Sequence, residues 1–286
     1  MLALTRLIET VARDGTEPMN RRAFVKTSVA AAAVAGVPNA PTQSQQEAAG
    51  AKAREYYELR QYHVQSGRQQ KLTDAFLKDA LVPALNRLGI ASVGVFNLTI
   101  GPMTPTFYVL MAAASVETLT TVEARLGQDA EYLKAGAPFL TSPADEAPFI
   151  RIESSLMVAF EGWPKLKLPA ATTEHKERMF ELRTYESPSD QDHRRKVEMF
   201  NSGEYDVFEK AGFSQVFYGD VLVGSRLPCL TYMVGFTDLT DRTAKWNAFR
   251  EAPEWRKLSG SPRYAFESIV SNITNLILIP TTYSQI

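Results

Sequence analysis

Cysteine is almost missing from this 286-residue chain: Cys229 stands alone, so no disulfide can form within it. Histidine is nearly as scarce. His63, His175 and His193 lie far apart, and with a single thiol they cannot supply a Cys/His zinc site. No Lys/Arg-rich cluster occurs in the body of the chain and the formal net charge is −1, so nothing favours nucleic acid or an anionic membrane surface. No apolar run is long enough for stable membrane insertion. A nucleophile elbow, a phosphate-binding P-loop and a dinucleotide fingerprint are absent too, which removes the commonest routes to hydrolase, nucleotide and redox-cofactor chemistry. What is present is an ordinary globular balance, 45% hydrophobic and 22% charged, sufficient for one large domain or two small ones.

The N-terminus departs from that balance. From Met19 the sequence reads MNRRAFVKTSVAAAAVAGVPNA, with Arg21 and Arg22 paired ahead of Phe24 and Lys26, then a weakly apolar, alanine-rich run and small residues. This resembles a twin-arginine export signal, with Asn20 and Val25 as departures from its pattern. The expectation is a bacterial protein handed to the twin-arginine export machinery and delivered to the periplasm. That route carries folded proteins, which suits a chain without disulfides. The start lies at Met1 or Met19 and cleavage after Ala40 or Ala53. Residues 1–53 are therefore read as extension, signal and polar linker.

The rest is a repeat. YYELRQYH begins at Tyr56 and MFELRTYE at Met179, 123 residues later. The same offset sets Gly89 on Gly212, Pro105 on Pro228, and Glu131 and Tyr132 on Glu254 and Trp255. The two copies are assigned to residues 54–168 and 169–286. Each opens with an alternating, Tyr-rich strand. A helix follows, with Leu72, Phe76, Leu81, Leu85 and Leu88 at helical spacing in the first copy and Val197, Phe200, Tyr205 and Phe208 in the second. Gly89 and Gly212 supply the stops, and Pro188 and Asp190 a start signal. Two strands come next (90–100 and 107–114; 213–223 and 229–236), then a second helical stretch (115–134; 239–258). Closing strands are predicted over 149–157 and 264–270. The spacing of Glu153 to Glu267 then implies a nine-residue insertion in the Pro-rich loop 136–148 of copy one.

Strand-helix-strand-strand-helix-strand, twice, is an α+β protein of two ferredoxin-like βαββαβ repeats. Each sheet has helices on one face only, and two such sheets from one chain can cover each other as a pseudo-dimeric α/β barrel with the helices outside. The doubled Glu-Leu-Arg-x-Tyr strands, the Gly89 and Gly212 turns and the WNAFREAPEWRKL helix at 246–258 resemble the NIPSNAP family of the dimeric α/β-barrel superfamily, over about residues 54–286. Copy one departs from it, with Glu123 and Leu126 where copy two has Trp246 and Phe249. The resemblance implies the fold and a pocket. Across the wider superfamily it points to small-molecule binders, cofactor-independent monooxygenases and haem-handling proteins, which is analogy by fold.

Alternation sorts Tyr57, Leu59 and Gln61 from Glu58, Arg60 and Tyr62, and Phe180, Leu182 and Thr184 from Glu181, Arg183 and Tyr185. The expectation is that the apolar sets face the helices and the charged sets line the barrel interior, with Glu153 and Glu267 beside Arg60 and Arg183. Two readings stay open. In one, Arg60 or Arg183 binds an anionic or enolate-like group, with Tyr62, Tyr185 or a carboxylate as acid or base. In the other, the charges only satisfy each other and fix register. No cofactor is otherwise called for; His63, at a barrel mouth, is a conceivable haem ligand. His193 reads as a solvated helix face, His175 as linker, Cys229 as a small buried hydrophobe. Trp246, Phe249 and Trp255 are core or interface anchors; an exposed Trp246 would mark contact with another chain. The leading function is a central-pocket protein for a small, partly apolar organic molecule. The alternatives are a non-catalytic protein that oligomerises through its outer helices, and a cofactor-independent monooxygenase.

Overall fold

The computed structural model describes residues 53–174 and 176–286. The export signal, both candidate starts and His175 lie outside the described residues. The described residues form one compact unit.

Eight strands close into an antiparallel barrel in the order β1-β3-β2-β8-β5-β7-β6-β4. The strands are β1 Tyr56–His63, β2 Gly94–Ile100, β3 Thr106–Ala113, β4 Arg151–Ala159, β5 Met179–Glu186, β6 Ser214–Val223, β7 Cys229–Phe236 and β8 Asn272–Pro280. Within each repeat the first strand sits between the last and the third: Arg60 pairs with Val109 and Ser154, Arg183 with Tyr232 and Asn275. The repeats are joined at two seams, β2 to β8 through Leu98 and Leu278, and β4 to β6 through Met157 and Val221. Closure removes every free sheet edge.

Helices pack outside. In repeat one they are α1 Arg68–Phe76 and α2 Val82–Arg87, joined by a π-helical turn Leu77–Leu81, then α3 Val116–Thr120, α4 Val122–Leu126 and α5 Ala130–Leu140. A short α6 Ala170–Thr173 leads into repeat two, with α7 Asp190–Met199, a π-helical turn Phe200–Glu204, α8 Tyr205–Lys210, α9 Leu239–Glu251, α10 Pro253–Ser259 and α11 Phe266–Ile269. The π-turns fall at the same 123-residue offset as the sequence repeat. So do the helix stops: Gly89 (φ 84°) and Gly212 (φ 80°) take the left-handed conformation that lets the chain leave α2 and α8. Ser189 and Asp238 cap α7 and α9, their side-chain oxygens accepting from Asp192 and Asp241 N–H.

Two predicted elements move. Residues 264–270 are not a strand: they hold α11, and the closing strand is β8, further along. Ser154 of β4 therefore matches Asn275 of β8, and the expected nine-residue insertion shrinks to two. The loop of copy one also begins later, because α5 runs on to Leu140.

The faces of the first strands are the reverse of the expectation. Tyr57, Leu59, Phe180 and Leu182 point into the barrel, where they pack with Phe96, Leu110, Met157, Phe217, Met233 and Leu278. Aromatic, Leu and Met side chains fill the interior, leaving a cavity of about 80 Å³ at one mouth. Tyr62 and Tyr185 belong instead to the two cores between sheet and helices. The central pocket is thus a packed core, and the charged strand faces look outward, under the helices.

Candidate functional site

Turning the charged faces outward puts each arginine at the floor of a cleft between its own sheet and its own helices. In repeat one, Arg60 Nε and Nη2 donate to the two oxygens of Glu58 at 2.6 and 3.1 Å, and Nη1 donates to Glu123 of α4. Ser154 Oγ donates to Glu58 at 2.8 Å. Tyr62, Phe76, Tyr132, Phe139 and Phe149 wall this cleft, of about 420 Å³. One guanidinium here faces two carboxylates.

Repeat two reverses that balance. Glu181, fully buried, accepts from Arg183 Nη1 (2.9 Å), Arg242 Nη2 (2.6 Å) and Nε (2.9 Å), and Trp246 Nε1 (2.7 Å). Burial alone would push its carboxyl up. The two guanidiniums and the indole outweigh that and hold it below the usual carboxylate value. Arg183 also donates to the Tyr185 hydroxyl at 3.1 Å, and Tyr185 and Tyr232 share a hydrogen bond at 2.9 Å. The Arg183 guanidinium lies 4.4 Å from the Trp246 ring centre. Around this floor Trp246, Phe249, Trp255 and Phe266 enclose about 710 Å³, with Arg250 and Glu267 also on the lining. Glu204 lines it too, paired behind with buried Lys196 at 2.6 Å. Four cations (Arg183, Arg242, Arg250, Lys196) stand against three carboxylates (Glu181, Glu204, Glu267). An apolar-walled cleft with surplus positive charge suits a small organic anion.

The structure thus gathers Glu58, Arg60 and Tyr62 in one cleft and Glu181, Arg183 and Tyr185 in the other. The two closing-strand carboxylates are placed elsewhere than expected. Glu153 lies opposite Gln61, at the barrel mouth, where it pairs with Arg151 (2.6 Å) and faces His63 (3.4 Å). Glu267 is on α11 at the cleft rim. The strand neighbours of the arginines are Ser154 and Asn275. Arg242, Lys196 and Glu204 escape the sequence reading because a charged residue on a helix ordinarily means a solvated face.

Other expectations shift with burial. Trp246 is 7% exposed, so it is a core anchor, and the exposed Trp246 that would mark contact with another chain is not found. His193 is buried, its Nε2 2.7 Å from Asp220 Oδ1, instead of solvated. His63 is 3% exposed, with Nδ1 on Thr106 Oγ1 at 3.0 Å and Nε2 turned to Glu153. Neither ring nitrogen opens into a cleft able to take a macrocycle, so the residue does not fit a haem ligand. Among the described residues no cluster of three His, Cys, Asp or Glu could hold a metal ion, and no helix is long and apolar enough to cross a membrane. Cys229 is buried.

The NIPSNAP family model matches the chain twice, over residues 57–148 and 180–285. The chain belongs to the NIPSNAP family. Among curated proteins none matches it. In fold it is similar to a putative monooxygenase from Fusobacterium nucleatum, at 8% identity and a TM-score of 0.51, covering 80% of this chain and 93% of that one. It is similar to a putative monooxygenase from Lactobacillus acidophilus at 6% identity and 0.51, covering 79% and 94%. An uncharacterised NIPSNAP-like domain protein from Burkholderia xenovorans matches at 21% identity with a TM-score of 0.35, covering 38% and 90%. The first two likenesses span both repeats, as the closed barrel requires.

Proposed function

We propose that this NIPSNAP protein binds a small, partly apolar organic acid in the cleft of its second repeat. The observation that carries the reading is the Glu181 knot: one buried carboxylate shared by Arg183 and Arg242, under an aromatic wall, leaves positive charge at the cleft floor. A ligand carboxylate satisfies the spare guanidinium donors while its apolar body displaces water from the rings. Benzoate is the simplest probe. Trp246 and Trp255 stand on the wall, so binding quenches tryptophan fluorescence saturably; a titration indistinguishable from chloride would refute the site. Mass spectrometry of what co-purifies with the native protein then names the natural ligand.

Oxidation of that ligand without a cofactor is a second reading. It is favoured by the Tyr185 hydroxyl, which sits between Arg183 and Tyr232 where a proton could be exchanged beside a fixed cation, and two proteins of this fold are named putative monooxygenases. Oxygen uptake on adding the co-purified compound tests it.

We further propose delivery to the periplasm through the Arg21 and Arg22 signal. Changing both to Lys should retain the protein in the cytoplasm, and unaltered secretion would refute this. Self-association through the outer helices is read directly by sedimentation at several concentrations.

A further inference from the structure

The second cleft has a feature the arginines do not explain. Lys196 on α7 and Glu204, the last residue of the π-turn, form an ion pair at 2.6 Å, with Lys196 fully buried and Glu204 1% exposed. The lysine ammonium lies 4.4 Å from the Phe200 ring centre, 5.2 Å from Phe266, 5.4 Å from Tyr185 and 5.8 Å from Trp255. Glu204 spends one oxygen, Oε2, on Lys196. Among the described residues its Oε1 has no hydrogen-bond partner, and the residue lines the cleft. Burial pushes the carboxyl up, and the ammonium only partly pulls it back.

Repeat one shows that the fold does not need this pair. At the same offset it carries Thr73 and Leu81, both buried, and forms the same π-turn. Thr73 donates to Pro148 O at 3.0 Å, and Leu81 simply packs. Apolar residues in place of a buried ion pair are often as stable or more so, so the pair in repeat two is not accounted for by stability. Its one unpartnered oxygen points to a ligand group.

We propose that Glu204 makes the second cleft selective for hydroxylated aromatic acids: the ligand hydroxyl docks on Glu204 Oε1 while its carboxylate rests on the arginines. Lys196 is the positioning residue, holding Glu204 by its other oxygen. A hydroxyl serves the site whether the carboxyl is ionised or protonated, since it both donates and accepts. An aromatic acid without the hydroxyl leaves a buried polar oxygen unpaired, and sites built that way reject such analogues. The inference rests on the organic-acid reading above and adds to it the second polar group of the ligand.

The test compares benzoate with its ortho, meta and para hydroxy derivatives, by calorimetry on the purified full chain. At least one hydroxy isomer should bind about tenfold or more tighter than benzoate, the scale of a hydrogen bond to a charged group. Glu204→Gln alone leaves the lysine unpaired and can fail to fold. The paired change Lys196→Thr with Glu204→Leu installs what repeat one already tolerates. In that variant the hydroxyl preference should collapse, with benzoate and its hydroxy derivatives binding within about twofold of one another. Two results overturn the proposal: a wild type indifferent to the hydroxyl, or a preference that survives the paired change. Failure of all these acids to bind wild type would instead sink the organic-acid reading, and this inference with it.

Discussion

Trp246 and Glu123 hold the same place in the two repeats, and each meets the arginine of its own first strand. The indole lies 4.4 Å from the Arg183 guanidinium and donates to Glu181, whereas Glu123 pairs with Arg60. Differences at two repeat positions, Glu123 against Trp246 and Leu119 against Arg242, give the clefts opposite charge. Arg60 is answered twice over by Glu58 and Glu123; Arg183 shares its one carboxylate with Arg242. The equivalent of Arg242 in repeat one is Leu119, which is buried, so no second cation is available there.

Binding should therefore be one-sided. Arg242→Ala should weaken benzoate about tenfold to a hundredfold, the range of a charge-assisted hydrogen bond, and leave the fold intact because Glu181 keeps Arg183 and Trp246. Arg60→Ala should leave benzoate affinity unchanged. Fluorescence titration of both variants checks this, and equal losses would place the ligand elsewhere.

The same asymmetry governs stability. Trp246 packs among Phe208, Phe213 and Phe249 with ring centres 4.9 to 5.7 Å away, so Trp246→Ala should cost about 3–5 kcal/mol. The Glu123 side chain is 65% exposed, and Glu123→Ala should cost less than about 1 kcal/mol. Urea denaturation measures both. Comparable losses would mean that the repeats are balanced after all.

Much of this architecture is written in the sequence. The repeat offset, the alternating Tyr-rich strands and the helix-stop glycines specify two βαββαβ units, and their uncovered sheet faces demand a barrel. Which face turns inward is not written. Alternation separates Tyr57 from Glu58 but does not say which side is more completely enclosed. The barrel interior is walled by the sheet all round and below its mouth admits only uncharged packing, while the helix side opens at a cleft where Arg60 and Arg183 reach carboxylates. The closing strand of repeat two was obscured because Tyr264, Phe266, Ile269 and Val270 have strand-like composition, yet the chain there turns through α11 before β8. Glu204 was legible only by comparison, since it aligns with Leu81 of the apolar helix pattern; Lys196 aligns with Thr73, whose burial no sequence pattern marks.

Acid should loosen repeat two through Glu181. Its carboxyl is depressed by the arginines and the indole, although burial opposes them. A depressed folded-state value means the contribution is complete above the ordinary carboxylate value of 4.5 and is lost as pH falls through the lowered one. Glu181→Gln removes that contribution at every pH. The unfolding free-energy gap between wild type and variant, measured by urea denaturation, should be widest near neutrality, about 3 kcal/mol or more, and should narrow on acidification. A gap that stayed constant down to pH 2 would show that Glu181 does not titrate as described.

Cys229 offers a last, independent reading of the barrel. It opens β7 with its side chain in the interior core beside Leu182, and it is 2% exposed. Burial, with Glu186 nearby, pushes the thiol up to about 11. Only the thiolate reacts with disulfide reagents, and at pH 8 such a group is almost wholly protonated as well as shielded. Labelling of the native protein with an aromatic disulfide should therefore be slow and limited by opening of the strand, then go rapidly to one equivalent in denaturant. The position tests enclosure directly: if Cys229 reacted at once in the folded state, it would not lie in the interior core, and the inward packing of Leu182 beside it would be wrong too.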